Sequence, residues 1–294
     1  MRPGVTGVDV LPAWFAALEG DASLEAPARL RERFDALERL ERHFGPGDHD
    51  ADEPGVAPGR VRALRARLER ANAALHEAIR DDIRHGRGRA ALQPWIDAAA
   101  PGEGGDTRLE GEGYDALDDL VDGVLRFDPP GGVAALPPGM VAYQPTPARH
   151  VVDMIDRAGL GEDDVLFDLG SGLGHVPLLA AILARARCIG VEIEPAYVEC
   201  ARRSAAALGL GDVAFLAQDA RAADLSGGTV FYLYTPFTGA ILRAVLGTLR
   251  REAARRAIRV CTFGPCTPVV AREPWLRTAD ALREHRVAIF HPRR

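Results

Sequence analysis

One ten-residue run constrains this chain more than any other: Val165-Leu166-Phe167-Asp168-Leu169-Gly170-Ser171-Gly172-Leu173-Gly174. An apolar stretch ends in an acid, passes through three glycines at alternate positions, and opens a helical pattern. That is the layout of a buried parallel strand feeding a crossover helix. Glycine lets the backbone come close to a ligand and take positive φ. The helix start beyond Gly174 offers free N–H groups and a partial positive charge, which suit a carboxylate or a phosphate. Three features narrow the ligand. His175 stands where a G-x-G-x-x-G dinucleotide loop has its third glycine. No G-x-x-x-x-G-K-[ST] occurs, and the chain has no Lys at all, which excludes a P-loop. Asp168 sets a carboxylate directly before the glycines, where it would oppose a pyrophosphate but can hold an ammonium group. The amino-acid end of S-adenosylmethionine is such a ligand. Three alternating glycines also occur in plain turns, and that alternative stays open on this run alone.

The surrounding rhythm supports a parallel sheet. Short apolar runs predict strands at Val165–Asp168, Arg187–Glu192, Val213–Ala217, Thr229–Tyr234, Ile258–Phe263 and Val287–His291, with a further one near Trp275–Ala279. Helices are predicted between them, over about 150–159, 175–185, 195–208 and 238–255. Glu192 ends the second strand, 24 residues after Asp168. In a right-handed βαβ unit that tip lies beside the glycine loop, and its carboxylate can accept from both ribose hydroxyls. Its charge argues against a 2′-phosphate. Glu194 is the better candidate for capping the next helix. Asp219 and Ala220 follow the third strand, where an acid can accept from an adenine amino group. The fourth tip reads Tyr234-Thr235-Pro236-Phe237, so Tyr234, Thr235 and Phe237 are the candidate catalytic, acceptor-side residues; aromatic faces also suit a cationic sulfonium. A plain strand ending in a proline turn is the alternative there.

These residues carry a resemblance. The span from Tyr143 to about Pro236 resembles the class I S-adenosylmethionine-dependent methyltransferases. It is most similar to the disruptor-of-silencing-type histone methyltransferases and the archaeal broad-specificity protein-lysine methyltransferases. The supporting motifs are Tyr143-Gln144-Pro145-Thr146-Pro147, Asp168 to Gly174, and Gly190-Val191-Glu192-Ile193. The resemblance implies an α/β fold, a Rossmann-like three-layer methyltransferase domain with a mostly parallel sheet, and S-adenosyl-L-methionine as cofactor. It implies that Tyr143 and Thr146 help close the cofactor pocket. Asp168, Gly170, Ser171, Gly172 and Gly174 would hold the methionine part, Glu192 the ribose, and Asp219 with Ala220 the adenine. The chain departs at the fourth tip, where related amine methyltransferases often carry an Asn-led tetrad and this chain has Tyr234.

The first half reads differently. Leu30, Phe34, Leu37, Leu40 and Phe44 recur at helical spacing from Pro27 to Phe44, and a Gly/Pro/Asp-rich loop follows over 45–59. Val61, Leu64, Leu68, Ala71, Leu75 and Ile79 stripe a longer helix from Val61 to Ile83. Core packing is the ordinary reading of that stripe; a homodimer through the N-terminal helices is the alternative. Residues 100–113 read as mobile, Tyr114–Phe127 as an amphipathic helix, and 128–139 as a linker. We therefore expect an α-helical N-terminal domain over 1–137, serving substrate recognition or as a lid, and the methyltransferase domain over 138–294.

Charge is uneven. Residues 1–138 hold 26 acids and 17 Arg, a balance of −9; residues 139–294 hold 16 acids and 19 Arg, a balance of +3. Glu103–Asp128, with nine acids against two Arg, would repel a phosphate backbone, so nucleic acid is disfavoured; negative charge there would favour a cationic acceptor, and a solvated acidic face is the alternative. No apolar run reaches the roughly 20 residues of a membrane span, and the N-terminus is a poor secretory signal. Cys188, Cys200, Cys261 and Cys266 form no CxxC pair. They read as reduced structural thiols in a cytoplasmic protein without a metal. Methyl transfer needs positioning above all; His150, His175 and Tyr234 are candidate bases by location only, and His175 reads better as structural. A non-catalytic S-adenosylmethionine-binding regulator and an aminopropyltransferase remain alternatives. The latter expects acids in the acceptor pocket, which the Tyr234–Phe237 tip lacks.

Overall fold

A computed structural model describes residues 13–45, 56–99, 113–128, 130–132, 139–283 and 285–293. The chain divides into two compact units, Met1–Ala78 and Ile79–Arg294. Most of the loop expected over 45–59, the stretch expected to be mobile over 100–113 and half of the expected linker over 128–139 lie outside the described residues.

The first unit is helical: α1 (Ala13–Gly20), two 3-10 turns (Ala22–Glu25 and Pro27–Arg29), α2 (Leu30–Phe44), and most of α3 (Pro58–Arg84). The helix expected from Pro27 begins with the 3-10 turn Pro27–Arg29, and the α-helix follows from Leu30. Phe15, Leu24, Leu40, Phe44, Leu64 and Leu68 form its core. The α3 stripe thus packs, at Val61, Leu64 and Leu68, into the core of its own unit. Arg33 is fully buried; its guanidinium donates to Asn72 Oδ1 (2.7 Å) and to the Leu24 and Ala26 carbonyls (2.8 and 2.5 Å). Those bonds offset the cost of burying the charge.

The second unit opens with α4 (Gly88–Ala99), α5 (Ala116–Leu125) and α6 (Ala148–Ala158). Strands and helices then alternate: β1 (Val165–Leu169), α7 (His175–Ala184), β2 (Arg187–Glu192), α8 (Pro195–Leu208), β3 (Val213–Ala217), β4 (Val230–Tyr234), α9 (Gly239–Ala253), β5 (Arg259–Phe263), α10 (Thr267–Val270), β6 (Leu276–Arg277) and β7 (Ala288–Pro292). The seven strands are ordered β3-β2-β1-β4-β5-β7-β6. The first five are parallel, and β7 runs antiparallel between β5 and β6. Phe167, Leu169, Phe231 and Leu233 face α9 through Leu242, Val245 and Leu249; α6 and α7, which contribute nothing to that cluster, cover the other face. The α/β, three-layer, mostly parallel architecture expected from the sequence is what forms, with a helical region before it. The four cysteines are buried and unpaired. Burial pushes the Cys261 thiol up to about 12, which leaves it protonated and inert.

Helices α4 and α5, assigned from sequence to the region 1–137, lie in the same compact unit as the sheet. The reason is polar as well as apolar. Asp115 and Asp118 form a capping box at the start of α5. Asp118 Oδ1 also accepts from the Ala148 N–H at 2.6 Å, capping α6, and Ser204 Oγ of α8 donates to the Leu125 carbonyl at 2.6 Å.

Burial raises the Asp118 carboxyl from 3.8 to about 6, against the lowering effect of its two backbone donors. A carboxyl raised on folding contributes stability below its unfolded value that is lost as pH climbs through the folded value. Relative to Asp118→Asn, the wild type should therefore lose stability between about pH 4 and pH 6, on the order of 2 kcal/mol, and run parallel to it above pH 7. Thermal melts of both proteins across pH 4–8 check this; a pH-independent difference would refute it.

Candidate functional site

A cavity of about 210 Å³ lies beyond the C-terminal ends of β1, β2 and β4. The strand order reverses at this point, the usual ligand crevice of an open parallel sheet. The β1 loop supplies Asp168, Gly170 and Ser171; the β2 tip supplies Glu192, Ile193 and Glu194. Residues Tyr234 to Phe237 line it from β4, and Met140 to Thr146 cross it as a strap. The strap is pinned at one end by a bridge between Met140 and Phe237 and a bond from Val141 N–H to the Pro236 carbonyl (3.2 Å). At the other end Thr146 Oγ1 meets Tyr232 Oη at 2.8 Å.

The glycine loop closes onto β2. Gly170 and Ser171 N–H both donate to the Val191 carbonyl (2.8 and 3.1 Å), and Gly172 N–H donates to Glu192 Oε2 (2.9 Å). Gly170 (φ +93°) and Gly172 (φ +52°) sit in the left-handed region. A Cβ on Gly170 would fall 2.1 Å from Pro236 Cβ, and one on Gly172 2.0 Å from Tyr143 Cε2. Sequence reading attributes these glycines to close approach of a ligand; in the structure the protein's own β4 tip and strap take that space. Gly172, Gly174 and Asp219 are the expected site residues that do not line the cavity. Gly174 caps α7. Asp219 is occupied by Arg221, whose Nη2 and Nε reach its carboxylate at 2.6 and 3.0 Å and hold it below its usual range. Its neighbours Gln218 and Ala220 line the cavity instead.

The cavity is electrically one-sided. Asp168 is 4% exposed and accepts no hydrogen bond from any described residue. Burial, with the Glu192 charge adding to it, pushes its carboxyl well above the usual range. Ser171 Oγ is buried with no partner among the described residues. Glu192 accepts from the N–H groups of Gly172, Ile193 (2.7 Å) and Glu194 (2.9 Å), and Glu194 caps α8 through Ala196 N–H. A buried carboxylate without a donor and a buried hydroxyl without a partner are costly unless a ligand completes them. They fit a ligand that brings an ammonium group and a sulfonium centre.

The β4 tip is already bonded to the end of β5. Thr235 takes φ +39°; its Oγ1 donates to the Phe263 carbonyl (3.1 Å) and accepts from Cys266 N–H (2.9 Å). Phe237 is core, and the Tyr234 ring packs at 4.6 Å on Phe263. His150 is fully buried with its ring 4.5 Å from Phe263 and does not line the cavity. His175 does: its Nδ1 is 2.8 Å from Tyr143 Oη and its Nε2 2.8 Å from Asp122 Oδ1. From sequence, Asp122 stands only among the acids of Glu103–Asp128 that could attract a cation; its pairing with His175 was missed. Its signal was an acid four residues after Asp118 on α5, hence on the same helix face.

The parallel sheet, the acid–glycine loop at its switch point and the matched family together place this chain in the class I S-adenosylmethionine-dependent methyltransferases, with S-adenosylmethionine as methyl donor. Within that class, residues 140–209 match the family described as Histone methylation protein DOT1. No curated protein matches the chain. Among solved structures, an RNA methyltransferase from Salinibacter ruber in complex with S-adenosyl-L-homocysteine is 32% identical over 50% of this chain and 92% of its own, with a TM-score of 0.39. A precorrin-6y C5,15-methyltransferase from Geobacter metallireducens is 16% identical over 52% of this chain and 92% of its own, with a TM-score of 0.41.

Gly172→Val should abolish S-adenosylhomocysteine binding with the circular dichroism spectrum unchanged. The new side chain must displace the Tyr143 ring, and left-handed backbone costs a non-glycine residue about 1–2 kcal/mol. Calorimetric titration decides it; normal affinity would make the loop an ordinary turn.

Proposed function

We propose that the protein transfers the methyl group of S-adenosylmethionine to an amine-type nitrogen on a cationic acceptor, a basic protein side chain or a small molecule. The carrying observation is the β4 tip. The Thr235 hydroxyl is bonded on both sides, and the Tyr232 hydroxyl, reaching the same cavity from within β4, is held by Thr146. The acceptor therefore meets aromatic faces and committed hydroxyls, and must bring its own lone pair. An amine does so once it loses its proton to solvent, whereas an alcohol needs a base in the transition state. Glu192 and Glu194 give the cavity lining an anionic character that attracts a cation. A family description that concerns histones, which are basic proteins, points the same way.

In this reading Asp168 holds the donor's ammonium group, directly or through water. The α7 N-terminus faces its carboxylate, and Ser171 Oγ is positioned for a polar group of the same end. Glu192 accepts from one ribose hydroxyl, since three of its about four lone-pair sites are already taken by backbone N–H groups. Ile193, Gln218 and Ala220 line the adenine end. Bound donor supplies a methyl carbon activated by positive sulfur. The chain supplies orientation, exclusion of water by the strap, and an approach past Tyr234, Pro236 and Phe237. No helix among the described residues is long and apolar enough to cross a membrane, and four unpaired buried thiols fit a cytoplasmic, reducing setting.

Charge reversal on α5 is not a simple probe of the acceptor. Asp115 and Asp118 cap helices and Asp122 binds His175, so reversing the first two would perturb the fold and reversing the third would perturb the cavity.

Two measurements test the reading. Glu192→Ala should weaken S-adenosylhomocysteine binding by about 1–3 kcal/mol, and NAD should not compete; preference for NAD would overturn it. Methyl label from S-adenosylmethionine should enter a Lys-containing basic peptide and not its Ser-substituted analogue. The rate should climb with pH toward the amine's value of about 10.4. Labelling of the hydroxyl peptide at equal rate would reject an amine acceptor.

A further inference from the structure

Helix α5 lies outside the matched segment 140–209, yet it reaches the cofactor cavity through one chain of hydrogen bonds. An ionised carboxylate only accepts, so Asp122 fixes the imidazole with Nε2–H toward it and leaves Nδ1 of the neutral ring to accept from the Tyr143 hydroxyl. The Leu173 N–H faces the same phenol oxygen. Tyr143 is the middle of the strap, and its ring edge occupies the space over Gly172. The element that anchors the middle of the strap also anchors its end: Asp118 of α5 binds the Ala148 N–H, directly after the strap.

Resting on the reading that the cavity binds S-adenosylmethionine, we propose that Asp122 and His175 are positioning residues. Acting through Tyr143, they hold the strap closed over the donor, so that α5 completes the cofactor site. The chain is built for this rather than for packing alone. His175 is 8% exposed in its side chain, and Asp122, 61% exposed, turns one carboxylate oxygen onto its ring at 2.8 Å. The His175 ring has a second, apolar neighbour in Phe127 at 4.6 Å, which supplies a discriminating pair of substitutions. Glutamine keeps an acceptor and a donor at nearly the spacing of the two ring nitrogens and loses the ring. Phenylalanine keeps the ring and loses both polar atoms.

The experiment is calorimetric titration of the full chain with S-adenosylhomocysteine, paired with thermal melts. His175→Phe and Asp122→Ala should each weaken binding about tenfold or more, while His175→Gln stays within about threefold of wild type, in keeping with loss or retention of a charge-assisted hydrogen bond. Adding Asp122→Ala to Tyr143→Phe should cost nothing further, because Asp122 acts only through that hydroxyl. Wild-type affinity in Asp122→Ala, an exposed position whose folding is not at risk, would overturn the proposal. So would His175→Phe binding as well as His175→Gln, which is the result packing alone gives. Failure of the wild type to bind would instead overturn the cofactor reading beneath it.

Discussion

β1 runs parallel between β2 and β4 with Asp168 opposite Gly190 on one side and Tyr232 on the other, and the whole site depends on that register. Parallel strands end on the same side of a sheet, so their connecting loops emerge together. The acid at the end of β1 is thereby set beside Glu192 at the end of β2. The cost is electrostatic: burial, with the Glu192 charge beside it, holds the Asp168 carboxyl well above the usual range. A cation entering the pocket relieves that repulsion, so the unfavourable term in the free protein becomes the source of selectivity for a positively charged ligand.

Much of this was legible in the sequence because the central strands β1 and β4 are buried on both faces. Runs such as Val165–Leu169 and Val230–Tyr234 read as continuous apolar segments, and Arg187–Glu192 and Val213–Ala217 have the bounds that their composition indicates. The acid–glycine–acid spacing was legible for the same reason, since it follows from strand length and one crossover. What escaped was whatever depends on distant segments meeting. Nothing local says that the glycines at 170 and 172 make room for Pro236 and Tyr143, or that Asp219 is claimed by an arginine two residues on. α4 was passed over because Gly88 and Pro94 weaken its helical signal; Pro94 falls within its second turn, where the missing N–H removes an intrahelical hydrogen bond.

The boundary between helical and catalytic regions illustrates the same limit. Composition shifts near residue 138, and a linker there is a fair reading of prolines and glycines. Compactness follows contacts instead, and α5 is bound to α6, α7 and α8 by side-chain bonds from Asp118, Asp122 and the Leu125 carbonyl. A helix that caps one neighbour and orients a histidine on another belongs with the sheet whatever the chain between them looks like.

The turn at Thr235 has a consequence for recognition. A threonine in left-handed backbone is uphill by about 1–3 kcal/mol, and here two hydrogen bonds to the β5 end hold it there. The cavity wall that the β4 tip forms is thus cast during folding, with its ordering entropy already spent before any encounter. Such a wall discriminates by contour: a molecule that fits loses little on docking, and one that does not cannot reshape it.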